Sequence, residues 1–271
     1  MEEAKKASFL EQEAGAGTEA ISVRDLSRSF LKIAQALSSE VTEETIAGLK
    51  PGDFYSPLAG ESFGTSIDVI VFKYERLYNV WKPNRGGLLT VLSVKEIESG
   101  KYKTYPSANK KGLIDIDGND VVESRNFYVL VRGHEDLGLL IFPFQSTGLR
   151  QACRWLTKID SLKTPQGRKA PIFQAIWRLE TVKNKKDNNS WYQIGDKSTT
   201  TAEVAGYVCG DYIQKDGTVI KGLWTDEEAE ATIMPLLDMC KDLDGTSMSI
   251  AAPANAAAIE DHSTGTLDSD V

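Results

Sequence analysis

Aromatic and basic residues alternate at three places along the chain. Tyr74, Arg76, Tyr78, Trp81, Lys82 and Arg85 fall within twelve positions. Arg154, Trp155 and Lys158 repeat the pattern, and Phe173, Trp177, Arg178, Trp191 and Tyr192 repeat it again. The combination suits contact with a single nucleic-acid strand, because cations follow the phosphates while exposed rings stack on bases for about 1–3 kcal/mol each. Stacking tolerates any base, so binding of this kind is sequence-independent. Tyr78, Trp81, Trp155 and Trp177 are the stacking candidates, and at least half of them are expected to be core. Arg150, Arg154, Lys158, Arg168, Lys169 and Lys185 are the phosphate candidates, with Lys82, Arg85 and Arg178 completing the set.

The charge distribution supports that choice. The net charge of −8 is an average. Residues 150–186 hold ten bases and two acids, a net of +8, whereas residues 226–271 hold eleven acids and one base, a net of −10. A basic block inside an acidic chain reads either as a polyanion-facing surface or as a chance cluster of surface cations in a loop-rich stretch. The acidic end reads either as a solubilising tail or as a mobile anion that competes for the basic groove and recruits partners.

Other chemistries find less support. The two histidines, His134 and His262, exclude a histidine-rich zinc site. Cys153, Cys209 and Cys240 are widely spaced, with no C-x-x-C, which fits a reducing cytosol and no disulfide framework. Neither a Walker-type loop nor G-x-G-x-x-G occurs. Asp115, Asp117 and Asp120 lie in an Asp-Gly-Asn stretch, but glycine stands fourth where an EF-hand loop needs it sixth, so a strand-connecting turn is expected. The same carboxylates leave a metal-dependent nuclease as a lesser alternative. No cofactor and no resident metal are expected. No apolar run is long enough to span a bilayer, and Glu2, Glu3, Lys5 and Lys6 leave no apolar signal at the start.

The elements that must position these residues follow from periodicity. Ser22 and Asp25 make a capping box for a helix with Val23, Leu26, Phe30, Ile33 and Leu37 on one face. Ile67–Tyr74 and Leu77–Trp81 read as strands, and 126–131 with 137–142 as a hairpin. A helix capped by Ser146 or Thr147 is expected to bury Leu149, Ala152, Cys153 and Leu156, with Arg150, Arg154 and Lys158 as a stripe on the other side. Then come a strand over 172–182, a polar turn over 183–189 and a short strand over 190–194. A last helix opens at Thr225 and buries Ile233, Leu236, Leu237 and Cys240, with Pro235 kinking or shortening it. Residues 1–20 and 244–271 read as disordered tails around one β-rich domain with peripheral helices over 21–243.

Ordered along the chain, these pieces resemble a known group. Val23-Arg24-Asp25-Leu26, Leu49-Lys50-Pro51-Gly52-Asp53-Phe54 and Val80-Trp81-Lys82-Pro83-Asn84-Arg85-Gly86-Gly87 are followed by Ser146-Thr147-Gly148-Leu149-Arg150, Arg154-Trp155 and Trp191-Tyr192. The arrangement resembles bacteriophage-encoded single-stranded DNA-binding proteins of the replication and recombination set. The resemblance implies a mainly β (α+β) fold with an OB-like antiparallel barrel and an acidic C-terminal tail. It also implies single-stranded DNA as partner, replication or recombination proteins as partners of the tail, and the host cytoplasm as location. Homo-oligomerisation is left open, and a phage structural or assembly protein is the leading alternative.

Overall fold

A computed structural model describes residues 29–83, 86–108, 112–164, 167–196, 198–213 and 218–242. Both proposed tails and the Ser22 capping box lie outside the described residues. The chain runs through β1 (Lys32–Ile33), α1 (Ser39–Thr42), β2 (Phe54–Ser56), β3 (Glu61–Gly64), β4 (Ser66–Trp81), β5 (Leu88–Ser93) and α2 (Val94–Glu98). It continues through β6 (Tyr105–Pro106), β7 (Leu113–Ile114), β8 (Asp120–Val131), β9 (Leu139–Gln145) and α3 (Leu149–Ser161). Last come β10 (Ala175–Glu180), β11 (Val182–Lys186), β12 (Asn189–Gln193), β13 (Glu203–Tyr207), β14 (Tyr212–Ile213), β15 (Val219–Ile220) and α4 (Asp226–Asp242).

The antiparallel pair β4–β8 is the spine, in register from Val69 opposite Val131 to Trp81 opposite Asp120. Each of these long strands serves two neighbours in succession. β10 and β5 pair with the two halves of β4, and β9 and β7 with the two halves of β8. The order β13-β10-β4-β8-β7-β6 has two ends. The fold is mainly β with antiparallel sheets, and among the described residues no pairing joins these two ends into a closed barrel.

The two strands read from sequence at the start of this sheet are one. A bulge between Val71 and Lys73 inserts a residue and exchanges the faces. Before it Ile67, Val69 and Val71 enter the larger core with Phe127, Val129 and Trp155; after it Tyr74 packs against that core. This is why the alternation is only partial in the sequence.

Helices cover both faces. α3 inserts Ala152, Trp155 and Ile159 into the larger core, while α4 lays Ala229, Ile233 and Cys240 on Ile70, Phe72, Tyr128 and Ile141 opposite. α4 starts at a capping box in which Glu228 N–H donates to Thr225 Oγ1 (3.2 Å) and Thr225 N–H to Glu228 Oε2 (2.9 Å). Pro235 sits inside α4 on its exposed side, and the helix continues to Asp242. Lys73 Nζ donates to the Cys240 carbonyl (3.3 Å), placing a cation at the negative end of the helix.

Two further sequence expectations fail. The helical pattern through Phe30, Ile33 and Leu37 gives way to extended backbone, with Leu31 N–H donating to Ile141 O and Ile141 N–H to Ser29 O, both 2.9 Å. The edge of β9 supplies those partners, and Leu37 is left 77% exposed. The segment read as one strand over 172–182 and a turn over 183–189 is β10 followed by the separate hairpin β11–β12, which turns at Asp187 and Asn188. Lys183, Lys185 and Lys186 are therefore strand residues.

Candidate nucleic-acid interface

Three of the four stacking candidates belong to the interior. Trp155 and Trp177 are 0% and 1% exposed, and Tyr78 is buried. On α3, buried Gln151, Ala152, Trp155 and Ile159 recur at three- and four-residue spacing. On β10, Ala175, Trp177 and Leu179 alternate inward. Trp155 stacks on Phe127 with ring centroids 4.4 Å apart and meets the edge of Trp177 at 6.2 Å. No base reaches these rings in the folded chain. Trp81, at the end of β4, is half-buried; Lys82 beside it is exposed, and Arg85 lies outside the described residues.

The inward face of α3 also differs from the expected one. Cys153 is exposed and Leu149 half-buried, because Gln151 turns inward and its Nε2 donates to the Asp196 carbonyl. The stripe of cations rotates with it. Arg154 donates to the carbonyls of Asp196 (3.0 Å) and Thr199 (3.3 Å), and Lys158 Nζ to that of Ala202 (2.6 Å). These side chains hold the 195–202 loop onto the helix. Of the stripe, Arg150 is exposed while Arg154 and Lys158 are half-buried.

The other cations divide similarly. Lys169 pairs with Asp160, and Arg178 grips Asp68 through two bonds of 2.9 Å. Arg168 and Lys163 are exposed on a turn closed by Thr164 N–H to Arg168 O (2.8 Å). Lys183 and Lys185 are exposed on the β11–β12 hairpin, where Lys183 lies 5.9 Å from the centre of the Tyr192 ring. Gln35 anchors this hairpin by two bonds to the Tyr192 backbone, of 3.0 and 2.8 Å. Gly52 is required beneath it: its φ is +99°, and a Cβ there would stand 2.8 Å from the Tyr192 ring. Asn184 then donates to Gly195 O (2.8 Å), linking the hairpin to the loop that α3 clamps. The basic segment thus folds as one hydrogen-bonded region around α3.

Two carboxylates, Asp196 in the clamped loop and Asp115 in the turn before β8, are committed to turns. Asp196 Oδ1 accepts the N–H groups of Ser198 and Thr199, both at 2.7 Å, which lowers its pKa to about 2. Asp115 accepts from Tyr102 Oη (2.6 Å), from Asn119 Nδ2 (2.9 Å) and from the N–H groups of Asp117 (2.9 Å) and Asn119 (2.8 Å). Burial pushes its carboxyl up, but these donors outweigh burial and hold it below the usual carboxylate range. Among the described residues no group of three His, Cys, Asp or Glu side chains is placed to hold a metal ion.

Sequence reasoning noted Arg76 only as a neighbour of tyrosines and passed over Arg125. Each segment alternates on its own, Tyr74-Glu75-Arg76-Leu77-Tyr78 and Glu123-Ser124-Arg125, but only the β4–β8 register sets the two arginines opposite each other on one face. No helix among the described residues is long and apolar enough to cross a membrane. A family model described as Pam3 phage gp34-like protein matches residues 1–206. No curated protein and no solved structure matches the chain.

Proposed function

The chain belongs to the Pam3 phage gp34-like protein family, and on the premise of a phage protein we propose that it binds single-stranded DNA, without sequence preference, in phage replication or recombination. The observation that carries this reading is the basic segment gathered around α3, which presents Arg150, Lys163, Arg168, Lys183 and Lys185 to solvent. Contacts to phosphate supply affinity without sequence information. Ring contacts come from the half-buried Trp81 and Tyr192 rather than from the core tryptophans. In this reading the open sheet is an OB-like platform, the acidic tail beyond residue 243 meets replication or recombination partners, and the setting is the host cytoplasm.

Fluorescence anisotropy of labelled oligo-dT at low and moderate salt tests the proposal. Binding is expected to weaken with salt at a slope of about 0.7 per phosphate contact and to favour the single strand over the matching duplex. Equal affinity for the duplex overturns the single-strand assignment. Absence of binding at low salt overturns the nucleic-acid reading, and stable large oligomers in that case point to particle assembly.

A further inference from the structure

A polar band crosses the sheet between two apolar clusters. On one side lie Phe127, Phe144 and Trp155; on the other lie Tyr78, Val80, Leu92 and Val121. Arg76 of β4 stands directly opposite Arg125 of β8 in register. Like charges in that position repel. Glu123 bridges them: Arg76 Nε and Nη2 donate to its two carboxylate oxygens (3.0 and 3.1 Å), and Arg125 Nε donates to Oε1 (2.8 Å). Burial raises the Glu123 carboxyl, but the bonds from Arg125 and Arg76 outweigh it and hold it below the usual carboxylate range. Two guanidiniums sharing one carboxylate leave one positive charge in excess.

The band is partly open, with Arg76 and Arg125 side chains 37% and 19% exposed. Each guanidinium carries five N–H donors. The contacts above engage Nε of both, Nη2 of Arg76 also donates to Tyr78 Oη (2.9 Å), and Nη1 of Arg125 donates to Cys153 Sγ. Cys153 is exposed on α3, and Arg150 precedes it by three residues on the same helix surface. The band therefore adjoins the basic segment across α3.

We propose that Arg76 and Arg125 form a phosphate-binding site on the sheet face, where the backbone of a single DNA strand continues from α3 across β8 to β4. The assignment rests on the function proposed above. Cys153 stands at its margin and serves as the reporter. In the full-length protein, oligo-dT at low salt is expected to slow alkylation of Cys153, read by peptide mass spectrometry, several-fold. Arg76→Gln is expected to weaken oligo-dT binding about fivefold and to lower the salt slope by about 0.7. Glu123→Gln, which removes the shared carboxylate, is expected to tighten binding, a sign that a purely structural role does not give. Arg125→Gln is expected to weaken oligo-dT binding to a similar extent, and if that variant fails to fold, the more exposed Arg76→Gln still decides. Oligo-dT binding that leaves Cys153 alkylation and the Arg76→Gln affinity unchanged overturns the site and spares the broader reading. A wild type that binds no oligo-dT overturns both.

Discussion

Helix α3 and the β11–β12 hairpin carry the same kinds of residue, lysine and arginine beside aromatic rings, and use them in opposite ways. On α3 the ring of Trp155 fills the core, and Arg154 and Lys158 hold loop carbonyls. On the hairpin Lys183 and Lys185 are exposed, and the neighbouring ring rests on Gly52. The difference lies in what each element packs against. A helix on a sheet face must bury a stripe about 100° wide, and its flanking long side chains are drawn to whatever unpaired carbonyls lie alongside. A two-stranded arm satisfies its own backbone and leaves its cations to solvent. A run of positive charge therefore marks a surface for a polyanion only where the backbone around it is already satisfied.

The contrast breaks most sharply at Trp155. Trp155→Ala is expected to lower unfolding free energy by about 3–5 kcal/mol in urea denaturation; an unchanged midpoint would remove α3 from the core. Next comes Lys158→Ala, which deprives the Ala202 carbonyl of its donor and is expected to cost about 1–2 kcal/mol. Lys185→Gln should move stability by no more than about 0.5 kcal/mol, while lowering the salt slope of oligo-dT binding by about 0.7. Equal stability losses at Lys158 and Lys185 would abolish the distinction.

A smaller effect sharpens it through pH. Asp196 is held at a pKa of about 2 against an ordinary 3.8 by the backbone N–H groups of Ser198 and Thr199. A depressed carboxyl stabilises the fold above its unfolded value, so this contribution is complete above about 3.8 and is lost as pH falls toward 2. Asp196→Asn should remove that part of the acid dependence. A wild type and variant whose urea midpoints fall in parallel between pH 5 and pH 2 would show that the clamped loop is not held by this carboxylate.

Periodicity and punctuation in the sequence located the β-rich centre, the β8–β9 hairpin, the helix near residue 149 and the terminal helix from Thr225, because each rests on local patterning. The capping box at Thr225 forms, whereas α3 has Gly148 at its N-cap and no side-chain cap from Ser146 or Thr147. The same signals misplaced residues 29–38, where apolar spacing fits a helix but the free edge of β9 offers backbone partners more than a hundred positions away. They divided β4 in two at Glu75-Arg76, since two adjacent charges look the same in sequence as the end of a strand, whereas the pairing with β8 runs on through both.

For the candidate interface, the sequence by itself determined the charge: ten bases between 150 and 186 and the chemistry they can do. Only the tertiary structure decided their employment. Whether Trp155 meets a base or Phe127, whether Lys158 meets a phosphate or the Ala202 carbonyl, and whether Arg76 meets Arg125 depends on register between distant segments. Composition counts charges and rings, whereas burial and partners are fixed by packing that no local window contains.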